Sequence, residues 1–222
     1  MSATAVPSLQ DALAAHRAGD IPRAADMYAR IVQADPGNAD AHQFLGVAMM
    51  QAGRPADAAG HFGKAVEING ENADWWNNFG LARFESGNVQ GARECYERAL
   101  ALNPDQSDAR NNLGLVLQTF GQYDASIHEF ERAIERQPQN PQFIYNKGVS
   151  QFRAAKLADA RQTFEHAIRV NPNFPYSYAS LAAVFMREGD FTKAYQACWE
   201  ALGRDPFHTP THQLFKSMKW FQ

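Results

Sequence analysis

The chain has 222 residues, 45% hydrophobic and 20% charged, with a formal net charge of -3, a composition that excludes an intrinsically disordered segment and leaves no basic stripe as a nucleic-acid footprint. Its two cysteines, Cys95 and Cys198, share no CxxC spacing, which argues against a zinc site or a disulfide framework. The amino terminus lacks a basic region followed by a long apolar one, and no stretch approaches the ~18 apolar residues of a spanning helix, so a cytoplasmic protein without membrane insertion is expected.

Laid on itself, the sequence repeats every 34 residues. Gly46, Gly80, Gly114 and Gly148 carry the period, as do Gly53, Gly87 and Gly121, then Ala65, Ala99, Ala133, Ala167 and Ala201, and finally Pro104, Pro138, Pro172 and Pro206. After a short extension, 1–4, the frame divides the chain into repeats 5–38, 39–72, 73–106, 107–140, 141–174 and 175–208, followed by a tail, 209–222, long enough for one helix. Each repeat reads as two helices, and no segment alternates with a period of two, so an all-α chain is predicted.

The first repeat is atypical. Ser8, Asp11 and Ala15 stand where later repeats hold large residues, so its first helix is expected to bury Leu9, Ala12 and Leu13, as suits a helix with one neighbour. Repeat 39–72 ends on Gly70 in place of proline. Repeat 73–106 holds Trp76, Phe79, Gly80, Ala92, Tyr96, Ala99 and Pro104. Repeat 107–140 shows the grammar in full. Leu113, Gly114 and Leu117 share one helical face, and Gly121 ends that helix, where a left-handed residue costs glycine little. Ser126, Ile127, Phe130, Ala133 and Ile134 form the stripe of the second helix, and Pro138 stops it. Gly114 and Ser126 mark the closest approach of the pair, leaving room for Phe130. Cys198 takes the slot held by Tyr96, Phe130 and Phe164 in earlier repeats and so reads as core. Cys95 lies beside that slot, where a redox role would need a lowered pKa. In the tail, Leu214, Phe215 and Met218 are expected to cap the last repeat, while Trp220 and Phe221 leave apolar surface open.

This pattern resembles the tetratricopeptide repeat family, a helix–turn–helix repeat of 34 residues with large residues at slots 4, 7, 11 and 24, small ones at 8, 20 and 27, and proline at 32. The resemblance covers 5–208 and implies a right-handed superhelical solenoid of antiparallel helix pairs, first helices on the concave side. Arg83, Arg110 and Lys147 depart from it at slots normally apolar. Either their stems pack while the charged heads reach solvent, or one of them turns a charge into a ligand groove.

The resemblance also implies that slots 2, 5, 6, 9, 12 and 13 face the groove. These slots hold Asp40, Asp74 and Asp108; Asn77 and Asn111; Phe44, Asn78, Asn112 and Asn146; Leu81 and Leu115; Phe84 and Phe152; and Arg17, Arg153 and Arg187. Asparagine in a helix interior costs about half a kcal/mol relative to alanine, so its recurrence at slot 6 wants a reason. A row of amides can bracket the donors and acceptors of an extended chain, and Asn78, Asn112 and Asn146 match the slot of the asparagine ladder in the repeat domain of O-linked N-acetylglucosamine transferase. Alternatively, tandem duplication copied them, or they bond to an adjacent helix. The carboxylate clamp of co-chaperone members needs lysine at slot 5 and arginine at slot 6; neither is present.

No phosphate-loop or nucleophile-elbow motif occurs. His208 and His212 are four apart, but Thr209 and Pro210 lie between them, so no metal site is expected. Together these features lead us to expect a scaffold, not an enzyme, that holds an extended peptide or partner segment in the concave groove and needs no cofactor. Two further readings stand beside it: a substrate-recruiting module of a glycosyltransferase or another modifying system, and a homo-oligomer assembled through the terminal helices.

Overall fold

The computed structural model describes residues 6–218. Among them are thirteen α-helices and no strand. The first helices of successive pairs are α1 (Leu9–Arg17), α3 (Ala39–Gln51), α5 (Ala73–Glu85), α7 (Ser107–Thr119), α9 (Pro141–Arg153) and α11 (Pro175–Glu188). Their partners are α2 (Ile21–Ala34), α4 (Pro55–Ile68), α6 (Val89–Leu102), α8 (Tyr123–Arg136), α10 (Leu157–Val170) and α12 (Phe191–Arg204), and α13 (Thr209–Met218) follows. The extension 1–4 and the residues Trp220 and Phe221 lie outside the described residues. No described helix is long and apolar enough to cross a membrane.

Local chemistry sets the helix ends. Asn38, Asn72 and Asn140 cap α3, α5 and α9, each side-chain oxygen accepting from backbone N–H groups of the first turn. The turns between helices of a pair need a left-handed residue. Gly53, Gly87 and Gly121 supply it, as do Gly19 and Gly189, whereas the matching residue after α9 is Ala155, at φ 59°.

The chain divides into two compact units, Met1–Asn112 and Leu113–Gln222, with the division inside α7. In the amino-terminal unit, consecutive helices from α1 to α6 pack on one another. One core gathers Ala12, Ala24, Tyr28, Ile31 and Leu45, with Leu9 and Leu13 packed against it. A second gathers Phe62, Val66, Phe79 and Cys95. Two glycines make these cores possible. A Cβ on Gly46 would lie 2.6 Å from the Phe62 ring, and one on Gly80 would lie 2.5 Å from Tyr96.

The carboxy-terminal unit repeats the device. Gly114 meets Phe130 and Gly148 meets Phe164, where an added Cβ would approach to 2.7 and 2.6 Å. The Ser126 hydroxyl donates to the Gly114 carbonyl at 2.8 Å and meets the Ser150 hydroxyl at 2.8 Å, and the Gln118 amide donates to Ser150 at 2.6 Å. A buried polar chain thus pins the helices where they come closest. In the last repeat both members of the glycine–aromatic pair change: Ala182 and Cys198 stand in their slots, both fully buried in one core with Phe164, Leu181 and Met218.

Slot 4 has a role that its size alone does not reveal. In the amino-terminal unit, from the second repeat on, the side chain there bonds a carbonyl six residues earlier. Trp76 donates to Gly70 at 2.8 Å, Arg110 donates to Pro104 at 2.6 and 3.0 Å, and the Nε2 of His42 is 3.2 Å from the Pro36 oxygen. In the carboxy-terminal unit Tyr178 donates to Pro172, and His212 is 2.8 Å from the Pro206 oxygen. This corrects the expected choice for Arg110: its head reaches neither solvent nor a groove but is buried, closing the turn carbonyl. Arg83 also turns inward. Its guanidinium lies 3.9 Å from the Phe79 ring centroid and donates to the Gly91 carbonyl and the Cys95 sulfur. Lys147, 22% exposed, pairs with Glu131 at 2.8 Å.

Candidate functional site

In the amino-terminal unit the sequence-derived stripe runs along α3, α5 and the first turns of α7. Its amides bond one another. Asn112 donates to Asn77 at 3.0 Å across two first helices, and Asn111, which is buried, donates to Asn112 at 3.3 Å. Asn78 is half-buried beside them, and Leu81 and Phe84 are half-buried one and two turns on. Asp74 accepts from Gln106 at 2.7 Å, and Asp108 is exposed. Phe44 is partly absorbed by the core, stacked on Tyr28 with centroids 5.7 Å apart. The result is a polar face edged with carboxylates, whose amides are already oriented by each other.

The carboxy-terminal unit places the remaining stripe residues differently. Asn146 is buried and accepts from Gln142 at 3.0 Å, so it does not repeat the environment of Asn112. Leu115 is half-buried on α7. Phe152, Arg153 and Arg187 come together around two adjoining hollows of about 480 and 710 Å³. Both hollows share Tyr145, Phe152, Arg153, Ser180 and Ala183; Arg187 closes one, and Tyr176, Gln213 and Leu214 line the other. The floor is low because α11 presents small residues, Ala179, Ser180 and Ala183, where α5 presents Asn77, Asn78 and Leu81. The walls are aromatic. Tyr145 packs edge-on against Phe174 and Tyr176, at 5.3 and 6.4 Å between centroids, and Tyr176 stands edge-on to His208 at 4.4 Å.

Sequence reasoning missed Tyr145, Tyr176, Ser180 and Ala183 as wall and floor. The signal was available at slot 2, where Asp40, Asp74 and Asp108 give way to Gln142 and Tyr176.

The two thiols are both buried. Burial pushes the Cys95 thiol up to about 11 against the opposing pull of Arg83, and burial alone takes Cys198 to about 11. Both thiols therefore stay protonated near neutral pH. His61 and His208 are held below the ordinary imidazole value, chiefly by burial.

The comparisons with known proteins agree with this geometry. Family models described as tetratricopeptide repeat match residues 77–141, 116–165 and 145–209, and residues 15–77. No significant match is found among curated proteins. Among solved structures, the chain is similar to the type IV pilus biogenesis factor PilW (TM-score 0.82, 19% identity, 93% of this chain and 96% of that one). It is also similar to PilF of Pseudomonas aeruginosa (0.77, 20%, 94% and 95%) and to YrrB, a TPR protein with an unusual peptide-binding site (0.69, 17%, 86% and 99%). At these identities the likeness is one of fold.

Proposed function

The chain belongs to the tetratricopeptide repeat family of protein-interaction scaffolds, and from that premise we propose that it binds an extended segment of a partner protein along the faces of its first helices. One observation carries the reading. The glycine–aromatic slots that pack the helices hold nearly the same residues from Gly46 and Phe62 through Gly148 and Phe164, while the half-buried and exposed part of the stripe on the first helices carries Asn78, Arg153 and Arg187, which the hydrophobic cores do not contain. In the amino-terminal unit the mutually bonded amides of Asn77, Asn111 and Asn112, with Asn78 beside them, offer donors and acceptors at fixed spacing. Each bond to a ligand backbone would contribute about 1 kcal/mol. Affinity in the micromolar range needs roughly 8 kcal/mol, so apolar contacts must supply most of it, and the aromatic hollows of the carboxy-terminal unit suit that part. That YrrB is a peptide-binding protein of the same fold supports the reading by analogy.

The test is a dodecapeptide selected on the whole chain by phage display, with its affinity measured by fluorescence anisotropy. Replacing both Asn78 and Asn112 by alanine is expected to weaken it about 30-fold while the helical circular dichroism stays unchanged and the melting profile shifts only by what the bonds of Asn112 to Asn77 and Asn111 contribute. Binding unaffected by these changes, yet lost on replacing residues of the second helices such as Arg98 and Glu94, would place the ligand elsewhere.

A second reading, self-association through the carboxy-terminal helices, is favoured by Trp199 and Phe207, which are 68% and 88% exposed. Sedimentation velocity across a concentration series tests it, and a single monomer boundary throughout rejects it.

A further inference from the structure

The hollows of the carboxy-terminal unit combine positive charge with an aromatic wall, and nothing negative lines them. Arg153 on α9 and Arg187 on α11 are both exposed. Neither makes an ion pair with a described carboxylate, although Arg187 lies over Phe152 with its guanidinium carbon 5.6 Å from the ring centroid. The carboxylates nearest Arg187 along the chain are engaged elsewhere: Glu188 with Arg161 at 3.3 Å and Asp190 with Lys193 at 2.7 Å. None of the residues lining either hollow is Asp or Glu. An arginine presents a planar fork of donors matched to a carboxylate and can stack on an aromatic face while doing so. Between the arginines the small side chains of Ser180 and Ala183 leave room for a large apolar side chain against Tyr145 and Phe152.

We propose that this face selects an acidic peptide segment, in which one or two Asp or Glu side chains meet Arg153 and Arg187 while a neighbouring aromatic or branched aliphatic side chain fills the hollow over Ser180 and Ala183. The proposal rests on the reading of the first-helix faces as peptide-binding surfaces and adds the chemistry of the occupant. Peptide is the favoured class because the two arginines stand isolated beside an aromatic wall, whereas a nucleic-acid track needs a run of cations.

The probe is a phage-displayed library of random dodecapeptides, selected in parallel on the natural chain and on the double variant Arg153→Ala/Arg187→Ala. The expected result is clones rich in Asp and Glu beside Phe, Tyr, Trp or Leu on the natural chain, and loss of that acidic bias on the double variant. A synthetic peptide of the natural-chain consensus should bind the double variant about tenfold more weakly. Its amide analogue, Asp and Glu replaced by Asn and Gln, should bind both proteins alike, and Arg153→Lys/Arg187→Lys should recover only part of the loss. The two arginines are exposed, so melting should be unaffected by the substitutions. Clones without acidic bias, or with the bias intact on the double variant, overturn the charge proposal while leaving peptide binding standing. An oligothymidylate that binds as tightly as the consensus peptide also overturns it. A selection that enriches no clone at all removes the underlying reading as well.

Discussion

The two units use the same packing grammar and present opposite chemistry on their first helices. In Met1–Asn112 the stripe holds Asp40, Asp74, Asp108 and Glu85, with a cluster of amides bonded to each other. In Leu113–Gln222 the slot that holds Arg17, Gln51 and Glu85 earlier holds Arg153 and Arg187, the acids give way to Gln142 and Tyr176, and Tyr145 stands where Asn111 does one repeat before. The glycine–aromatic interlock, by contrast, is copied with little change from Gly46 and Phe62 through Gly148 and Phe164. The packing slots are fixed by contact distances of a few ångströms, which tolerate few alternatives. The exposed members of the stripe, Asp74, Asp108, Arg153 and Arg187, are bound by no such geometry, and we read their divergence as reporting on what each unit meets outside itself.

The comparison breaks most visibly if the interlock is not equivalent in the two units. Gly80→Ala and Gly148→Ala each place a Cβ within 2.5 or 2.6 Å of an aromatic ring carbon in a buried core. Each is expected to cost about 3 kcal/mol, the upper end of overpacking, because the ring has no free space to move into. Urea denaturation followed by circular dichroism measures it. Gly60→Ala and Gly203→Ala are the controls: both are helical, and an added Cβ meets nothing within 4 Å. They should be neutral or stabilising by up to about 1 kcal/mol.

The repeat, the helices and the interlock were legible in the sequence because they rest on local rules: the 34-residue period, glycine at helix ends, small opposite large. Gly114, Ser126 and Phe130 stand as their spacing implies. What was not legible depends on where a flexible side chain finds a partner. The head of Arg110 folds back to a carbonyl six residues earlier, which no periodicity encodes. The asparagines share one slot yet sit in different settings, since Asn112 reaches Asn77 while Asn146 is buried against Gln142. The hollow between Tyr145, Phe152 and Arg153 arises from what α11 lacks, and an absence of bulk registers weakly in a reading that looks for reactive groups.

Slot 4 offers the next largest effect and a direct contrast. Arg110→Ala in the amino-terminal unit removes a buried charged head and leaves the Pro104 carbonyl without it, at an expected cost of about 2 kcal/mol. In the carboxy-terminal unit the corresponding residue is Ile144, which has no donor to offer Pro138. Ile144→Tyr would supply the phenol that Tyr178 gives Pro172, with an expected gain of about 1 kcal/mol. A loss instead would show that the isoleucine is held by packing that a phenol cannot enter.

The turn after α9 supplies a smaller effect. Ala155 occupies the left-handed conformation that glycine takes at each of the five matching turns. A side chain there costs roughly 1–2 kcal/mol, offset partly by the entropy glycine loses on folding. Ala155→Gly should therefore stabilise by about 1 kcal/mol, read as a shift in the urea midpoint, and Gly121→Ala should destabilise by a similar amount.

The smallest effect is a pH dependence that differs in origin between the units. In the amino-terminal unit the Nδ1 atoms of His42 and His61 lie 3.2 Å apart, and the Nε2 of His42 is 3.2 Å from the Pro36 oxygen. A carbonyl only accepts, so His42 carries its proton on Nε2, and its Nδ1 accepts from Nδ1–H of His61. Burial first, and His42 second, hold the pKa of His61 below the ordinary value. The unfolded chain therefore binds this proton more readily than the folded one. The stability tied to His61 is present above the unfolded imidazole value of about 6.5 and is lost as pH falls through the lowered folded value. In the carboxy-terminal unit burial lowers His208 with the same sign. Urea midpoints should thus fall as the pH is lowered below about 6.5, and His61→Gln should remove only part of the fall, leaving the part carried by His208. A midpoint that rises on acidification would mean that the close pair of imidazoles is stabilised by a shared proton instead of opposing it.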